Sequence, residues 1–244
     1  ASTLEFNFGD PSELIFRDGS HFAGAGRAAI RASTFLGKST SEDYALDLSG
    51  ATIIGGDGTA GSTATLGGQA RWGGATLTGN WIFDAASTIR VGNSSLGGTT
   101  QRPSGTLVNN GRMEVAIGLI VNSSDGSLLT NNGVIDLGNG AQFGAGFGTT
   151  IGVLNNGTID AVSGGNVNFQ PGNNQSNSVR NLGTIRVRDT QIIGVNYAND
   201  GIVTLGSNGV WLSAGQFTLR GANAVLNIGD AGAAPGTLNG RFLA

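Results

Sequence analysis

The sequence predicts an all-β fold, a parallel β-helix or β-solenoid of roughly 10–11 turns in one elongated domain spanning residues 1–244. Three observations predict it. A short phrase beginning at an Asn returns at near-regular intervals through the second half of the chain. Glycine occupies 44 of 244 positions, where a usual share is ~7%. Charged residues make up only 12%, about half the common share of ~25%.

The phrase is Asn109-Asn110-Gly111-Arg112-Met113-Glu114-Val115. It returns as Asn131-Asn132-Gly133-Val134-Ile135-Asp136-Leu137 and as Asn155-Asn156-Gly157-Thr158-Ile159-Asp160-Ala161. Asn181-Leu182-Gly183-Thr184-Ile185-Arg186-Val187 and Asn199-Asp200-Gly201-Ile202-Val203-Thr204-Leu205 follow, and a weaker copy ends at Leu226. Met113, Ile135, Ile159, Ile185, Val203 and Leu226 hold one slot, with steps of 22, 24, 26, 18 and 23 residues. They are expected to form a core stack. Asn-Gly predicts a tight corner, with Gly111, Gly133, Gly157, Gly183 and Gly201 supplying positive φ. The residues after it alternate apolar and polar, as in a half-buried strand. Antiparallel hairpins give no reason for like strands to return at a fixed period. A coil does, and ~22 residues suit two or three short strands per turn. Turns ~4.8 Å apart place like on like, which disfavours repeated charge. Asn110, Asn132 and Asn156 then have two equally weighted readings: an amide ladder along the axis, or left-handed corners.

Residues 106–240 carry the regular turns, and 1–105 are less regular. Strands are expected at Leu4–Phe8 and Glu13–Phe16, with Gly9-Asp10-Pro11 between them. Further strands are expected at Ala45–Leu48, Ala51–Ile54, Trp81–Asp84 and Thr88–Val91, and in the second half at Val167–Phe169, Ile192–Ile193 and Val210–Leu212. Residues 25–38 read equally as a short helix over the first turns or as a loop. Ten or eleven turns make a rod on the order of 50 Å long.

Composition excludes several classes of chemistry. Cys is absent, which rules out disulfides, thiolate zinc ligands and a thiol nucleophile. His21 is the single His, so no triad or metal site needing two is available. No run of eighteen apolar residues is present, so no transmembrane helix is expected. The net charge is −3 without a basic stripe, which argues against nucleic acid. No cofactor and no metal is expected. A Cys-free chain suits an oxidising, exported setting. The opening Ala1-Ser2 suits a processed mature end or a fragment alike.

Candidate sites are few. Asp136 and Asp160 share a slot next to Glu114, and stacking brings them near the separation that retaining glycosidases use. The slot continues as Arg186 and Thr204, so it reads as an outward polar column. Gly55-Gly56-Asp57-Gly58 occurs once and reads as a turn, since calcium-binding nonapeptides need copies in consecutive turns. Gly144-Ala145-Gly146-Phe147-Gly148 precedes a strand-like run and not a helix, which excludes a phosphate loop. Trp72, Trp81 and Trp211 fall in separate turns and suit packing.

The Asn-Asn-Gly-x-Ile-x-Val phrases, with Pro235-Gly236-Thr237-Leu238-Asn239-Gly240, resemble the β-solenoid passenger regions of bacterial autotransporters and related large surface adhesins. The resemblance covers about residues 105–240 and transfers no site residue. It implies export, a surface or extracellular location, and adhesion or self-association. The expectation is therefore a non-enzymatic structural rod, acting in adhesion or as a self-assembling fibre or surface-layer subunit. Its expected partners are other copies of itself, other surface proteins, or host or matrix glycans. The alternatives are a polysaccharide-active β-helix lyase or hydrolase, and a carbohydrate- or ice-binding solenoid. Lacking the C-terminal β-barrel of an intact autotransporter, the chain is expected to be a fragment or a separate subunit.

Overall fold

A computed structural model describes residues 3–8, 13–16, 21–22, 27–32, 46–49, 52–55, 62–72, 76–92, 104–116, 118–121, 127–138, 141–145, 152–161, 168–169, 179–187, 191–193, 197–206, 210–228 and 237–243. These residues form short strands in two parallel sheets, with no helix among them. The chain is a parallel β-solenoid.

The first sheet has eleven strands in chain order, from Thr3–Phe8 at one end to Val225–Ile228 at the other. Its register is continuous. Leu46 pairs with Ala70, Ala70 with Ile89, Ile89 with Met113, and the column runs on through Ile135, Ile159, Ile185 and Val203 to Leu226. A second inward column, two residues along, holds Trp72, Val91, Val115, Leu137, Ala161, Val187 and Leu205 at matching positions, with Leu48 and Ile228 in register at its two ends. Strand alternation explains this, since every second residue faces the same side. Met113, Ile135, Ile159, Ile185 and Val203 are fully buried, and Leu226 is partly buried against them. The most regular part is the four turns between Met113 and Val203.

The second sheet has sixteen strands. Two runs of strands are joined into one sheet by Val210–Leu219, which pairs with Gln191–Ile193 along its first part and with Tyr197–Asn199 along its last. One turn in the regular region thus contributes three strands, such as Leu128–Asn131, Val134–Leu137 and Gln142–Ala145. Trp72, Phe83 and Phe143 are the bulkiest fully buried side chains. Trp81 is also buried, its indole nitrogen donating to the Thr78 carbonyl at 2.8 Å.

Two expectations need correction. Arg27–Ala32 is neither helix nor loop but a strand, paired on one side with Thr3–Phe8 and on the other with Leu46–Ser49. The Ala residues at 28, 29 and 32 favour a helix locally. Ala28 and Ile30 nevertheless recur at period two, and pairing on both edges satisfies the backbone. Residues 33–38 lie outside the described residues. The second correction concerns the Asn-Gly corners. Among the described residues the glycines with positive φ are Gly68, Gly79, Gly92, Gly105 and Gly221, and the repeat glycines are not among them. What requires Gly there is space. A Cβ on Gly133 would lie on the carbonyl oxygen of Gly111, one on Gly157 on that of Gly133, and so on through Gly183 and Gly201. The backbone of successive turns approaches too closely at this corner for any side chain.

Candidate functional face: ladders and a charged outer column

Each corner begins with an Asn whose side chain turns inward. Asn109, Asn131, Asn155, Asn181 and Asn199 are all fully buried. Asn109 Nδ2 donates to Asn131 Oδ1 at 2.8 Å, Asn131 to Asn155 at 2.7 Å, Asn155 to Asn181 at 2.6 Å, and Asn181 to Asn199 at 2.7 Å. The same amides also reach backbone carbonyls, as Asn155 does at Gly157 and Thr184. One residue type thus satisfies backbone carbonyls at a buried corner and links each turn to the next. The ladder stops where the register partner is apolar, at Phe83 before Asn109 and at Leu219 after Asn199. Asn109 Oδ1, the first acceptor, has no hydrogen-bond partner.

Asn110, Asn132 and Asn156 form a shorter, exposed ladder of opposite sense. Asn132 Nδ2 donates back to Asn110 Oδ1 at 2.9 Å, and Asn156 to Asn132 at 2.8 Å. Leu182 and Asp200 occupy this place in the next two turns and cannot extend it. The buried ladder was not anticipated from the sequence. Its signal was available: the first Asn of the phrase stands in all five strong copies, while the second becomes Leu and Asp. A second glycine column was also missed. Gly55, Gly79 and Gly105 are register partners, and a Cβ on Gly79 or Gly105 would meet the carbonyl of the glycine before it.

The outward column of the first sheet carries the charge. Arg71, Arg90, Glu114, Asp136, Asp160, Arg186, Thr204 and Asn227 are successive register partners. Three carboxylates therefore stack between arginines. Glu114 meets Arg90 at 2.7 Å and Arg112 at 3.4 Å. Arg112 reaches on to Asp136 at 2.6 Å, and Asp160 pairs with Arg186. Burial pushes the Asp136 carboxyl above its ordinary value; Arg112 opposes this, while Asp160 and Glu114 act with burial. Asp160 is itself buried, and its Oδ1 has no hydrogen-bond partner. Asp136 and Asp160 are brought side by side, as the sequence suggested. Chemically the column is a ladder of ion pairs, each carboxylate engaged by at least one guanidinium.

The other motifs contribute no constellation. His21 sits in a two-residue strand opposite Thr65. Gly55 ends a strand, and residues 56–59 lie outside the described residues. Gly144 and Ala145 belong to a strand, and residues 146–148 lie outside the described residues. Trp211 pairs in register with Ile192 and Leu238. Among the described residues no group of three or more His, Asp or Glu is arranged to hold a metal, and no helix is long and apolar enough to cross a membrane.

No protein-family model, curated protein or solved structure matches this chain. The likeness to autotransporter passengers therefore rests on the repeat phrases alone.

Proposed function

We propose that this protein is a non-enzymatic structural rod, exported to a bacterial surface, where it serves adhesion or the building of a fibre or layer. The observation that carries this reading is the unbroken stack of equivalent rungs. Two apolar columns, a buried amide ladder and a glycine column run along one axis, so the molecule's invested chemistry is axial and internal. Such a stack transmits length and stiffness without needing a cleft. The arginine-flanked carboxylates favour it over a polysaccharide-active enzyme. Glycosidase chemistry needs one free acid and one free base, whereas these carboxylates hold guanidinium groups. Export suits a chain without Cys. Other copies, surface proteins or glycans are its proposed partners.

Protease shaving of intact producing cells tests the reading. The protein is expected to be cleaved from the surface while a cytoplasmic marker stays intact, and cells lacking it should lose adhesion or surface-layer order. Protection of the protein until lysis would overturn the surface assignment.

A further inference from the structure

Three of the repeat corners carry an Asn followed directly by a Gly: Asn110-Gly111, Asn132-Gly133 and Asn156-Gly157. The fold imposes the Gly. A Cβ on Gly111 would lie on the Ser87 and Asp84 carbonyl oxygens, and one on Gly133 or Gly157 on the carbonyl of the corner before. An Asn-Gly pair is open to cyclisation, because no side chain shields the glycine nitrogen from the amide carbon before it. By sequence the three pairs are alike; by their hydrogen bonds they differ.

Three groups decide whether the ring closes: the glycine nitrogen that attacks, the amide oxygen that takes up charge, and the amide nitrogen that leaves. At two corners the attacking nitrogen is held. Gly133 N–H donates to Asn109 O at 3.0 Å, and Gly157 N–H to Asn131 O at 2.9 Å. Gly111 N–H has no acceptor among the described residues. The amide oxygens differ as well. Asn110 Oδ1 accepts from Asn132 Nδ2 at 2.9 Å and Asn132 Oδ1 from Asn156 Nδ2 at 2.8 Å, whereas Asn156 Oδ1 has no donor among the described residues. The leaving nitrogens of Asn132 and Asn156 are engaged by these same bonds, and that of Asn110, at the head of the ladder, donates to no described residue. Of the three pairs, only Asn110-Gly111 combines an unheld nucleophile, a polarised amide oxygen and an unengaged leaving group.

We propose that Asn110 is a self-modification site, where Gly111 N attacks Asn110 Cγ and closes a succinimide that water opens to an aspartyl or isoaspartyl residue. Hydroxide removes the Gly111 amide proton and the N–Cγ bond forms. Charge collects on Oδ1, where Asn132 Nδ2 donates to it. The Cγ–Nδ2 bond then breaks, and Nδ2 takes a proton and leaves as ammonia. Water adds to one of the two ring carbonyls. Opening at Cγ leaves Asp in an unchanged backbone. Opening at the main-chain carbonyl routes the chain through Cγ and adds one backbone carbon. The balance is one amide and one water giving one carboxylic acid and ammonia, with no oxidant. A corner without room for a Cβ on Gly111 has little for an added backbone atom, so the isoaspartyl form loosens the rung at which the buried ladder starts, Asn109.

Peptide mapping by mass spectrometry of the folded, full chain held at mildly alkaline pH tests this. Asp and isoaspartate should accumulate at 110 at least ~5-fold faster than at 132 or 156, where a hydrogen bond must first break. In denaturant the three rates should converge. Asn132→Ala keeps Gly111 and removes the donor to Asn110 Oδ1. It should slow the reaction at 110 about 2- to 10-fold in the folded chain, the rate equivalent of one hydrogen bond, and leave the denatured rate unchanged; circular dichroism verifies that the variant is folded. Equal rates at the three corners of the folded chain, no reaction at 110 while the denatured chain reacts, or an Asn132→Ala chain that reacts at 110 as fast as the parent would overturn the proposal. None of these results touches the surface assignment, which the shaving experiment tests separately.

Discussion

At the residue scale, stacking decides what each position tolerates. Gly133→Ala puts a methyl group on the carbonyl of Gly111. It is expected to cost about 1–3 kcal/mol in denaturant unfolding, the range for overpacking a rigid site. Gly138→Ala is the comparison, since a Cβ there meets Val115 O at an ordinary 3.4 Å, and it should change stability little. Asn155→Ala removes the donor to Asn181 Oδ1, a fully buried acceptor. The expected loss is about 1–3 kcal/mol. Asn132→Ala, on the exposed ladder, should stay within about 0.5 kcal/mol. If the two Asn variants unfold alike, the buried ladder is not what holds the turns. Asp136 gives a pH dependence. Burial raises its carboxyl in the folded state, with Arg112 opposing. The folded chain therefore keeps this proton to higher pH than the unfolded chain. The associated stability is complete below the ordinary carboxyl range, ~3.9, and is lost as pH rises through the raised value. Asp136→Asn should melt above the parent at pH 7, and the gap should close as pH falls toward 4. A lower melting temperature at pH 7 would show that the Arg112 pair outweighs burial.

At the element scale, the unit is the turn. Removing residues 133–156 joins Asn132 to Gly157 and deletes one 24-residue step. The Asn109, Asn131 and Asn181 positions then restack in register, so the shortened chain should fold cooperatively, with circular dichroism per residue unchanged. Removing 133–144 alone cuts a turn part-way and should unfold the neighbouring rungs. Much of this element structure was legible in the sequence. Ile135-Asp136-Leu137 and Ile185-Arg186-Val187 announce strands by alternation, and their recurrence announces a coil. Arg27–Ala32 was not legible as a strand, because Ala is locally helix-favouring and only pairing with Thr3–Phe8 and Leu46–Ser49 settles it. The buried ladder escaped for a related reason. Asn109 and Asn110 look equivalent as a dipeptide, and only the coil turns one inward and the other out. The repeat glycines look like corners of positive φ, whereas the contact that selects them is with a residue 18 to 26 positions earlier.

At the scale of the whole molecule, the continuous register of the first sheet sets equivalent rungs one after another along one axis. Distance between two outward positions should then depend on the number of rungs between them and not on sequence separation. Gln69 and Ile202 lie in one outward column, linked by the successive pairs Gln69–Thr88, Thr88–Arg112, Arg112–Val134, Val134–Thr158, Thr158–Thr184 and Thr184–Ile202. Both are exposed, and the parent chain has no Cys to interfere with labelling. Spin labels on Gln69→Cys and Ile202→Cys, measured by pulsed electron resonance, test the claim most directly. A single narrow distance on the order of 29 Å, growing by ~4.8 Å when the second label moves to Val225, is the predicted result. A broad distribution, or a distance that fails to lengthen with the added rung, would contradict it.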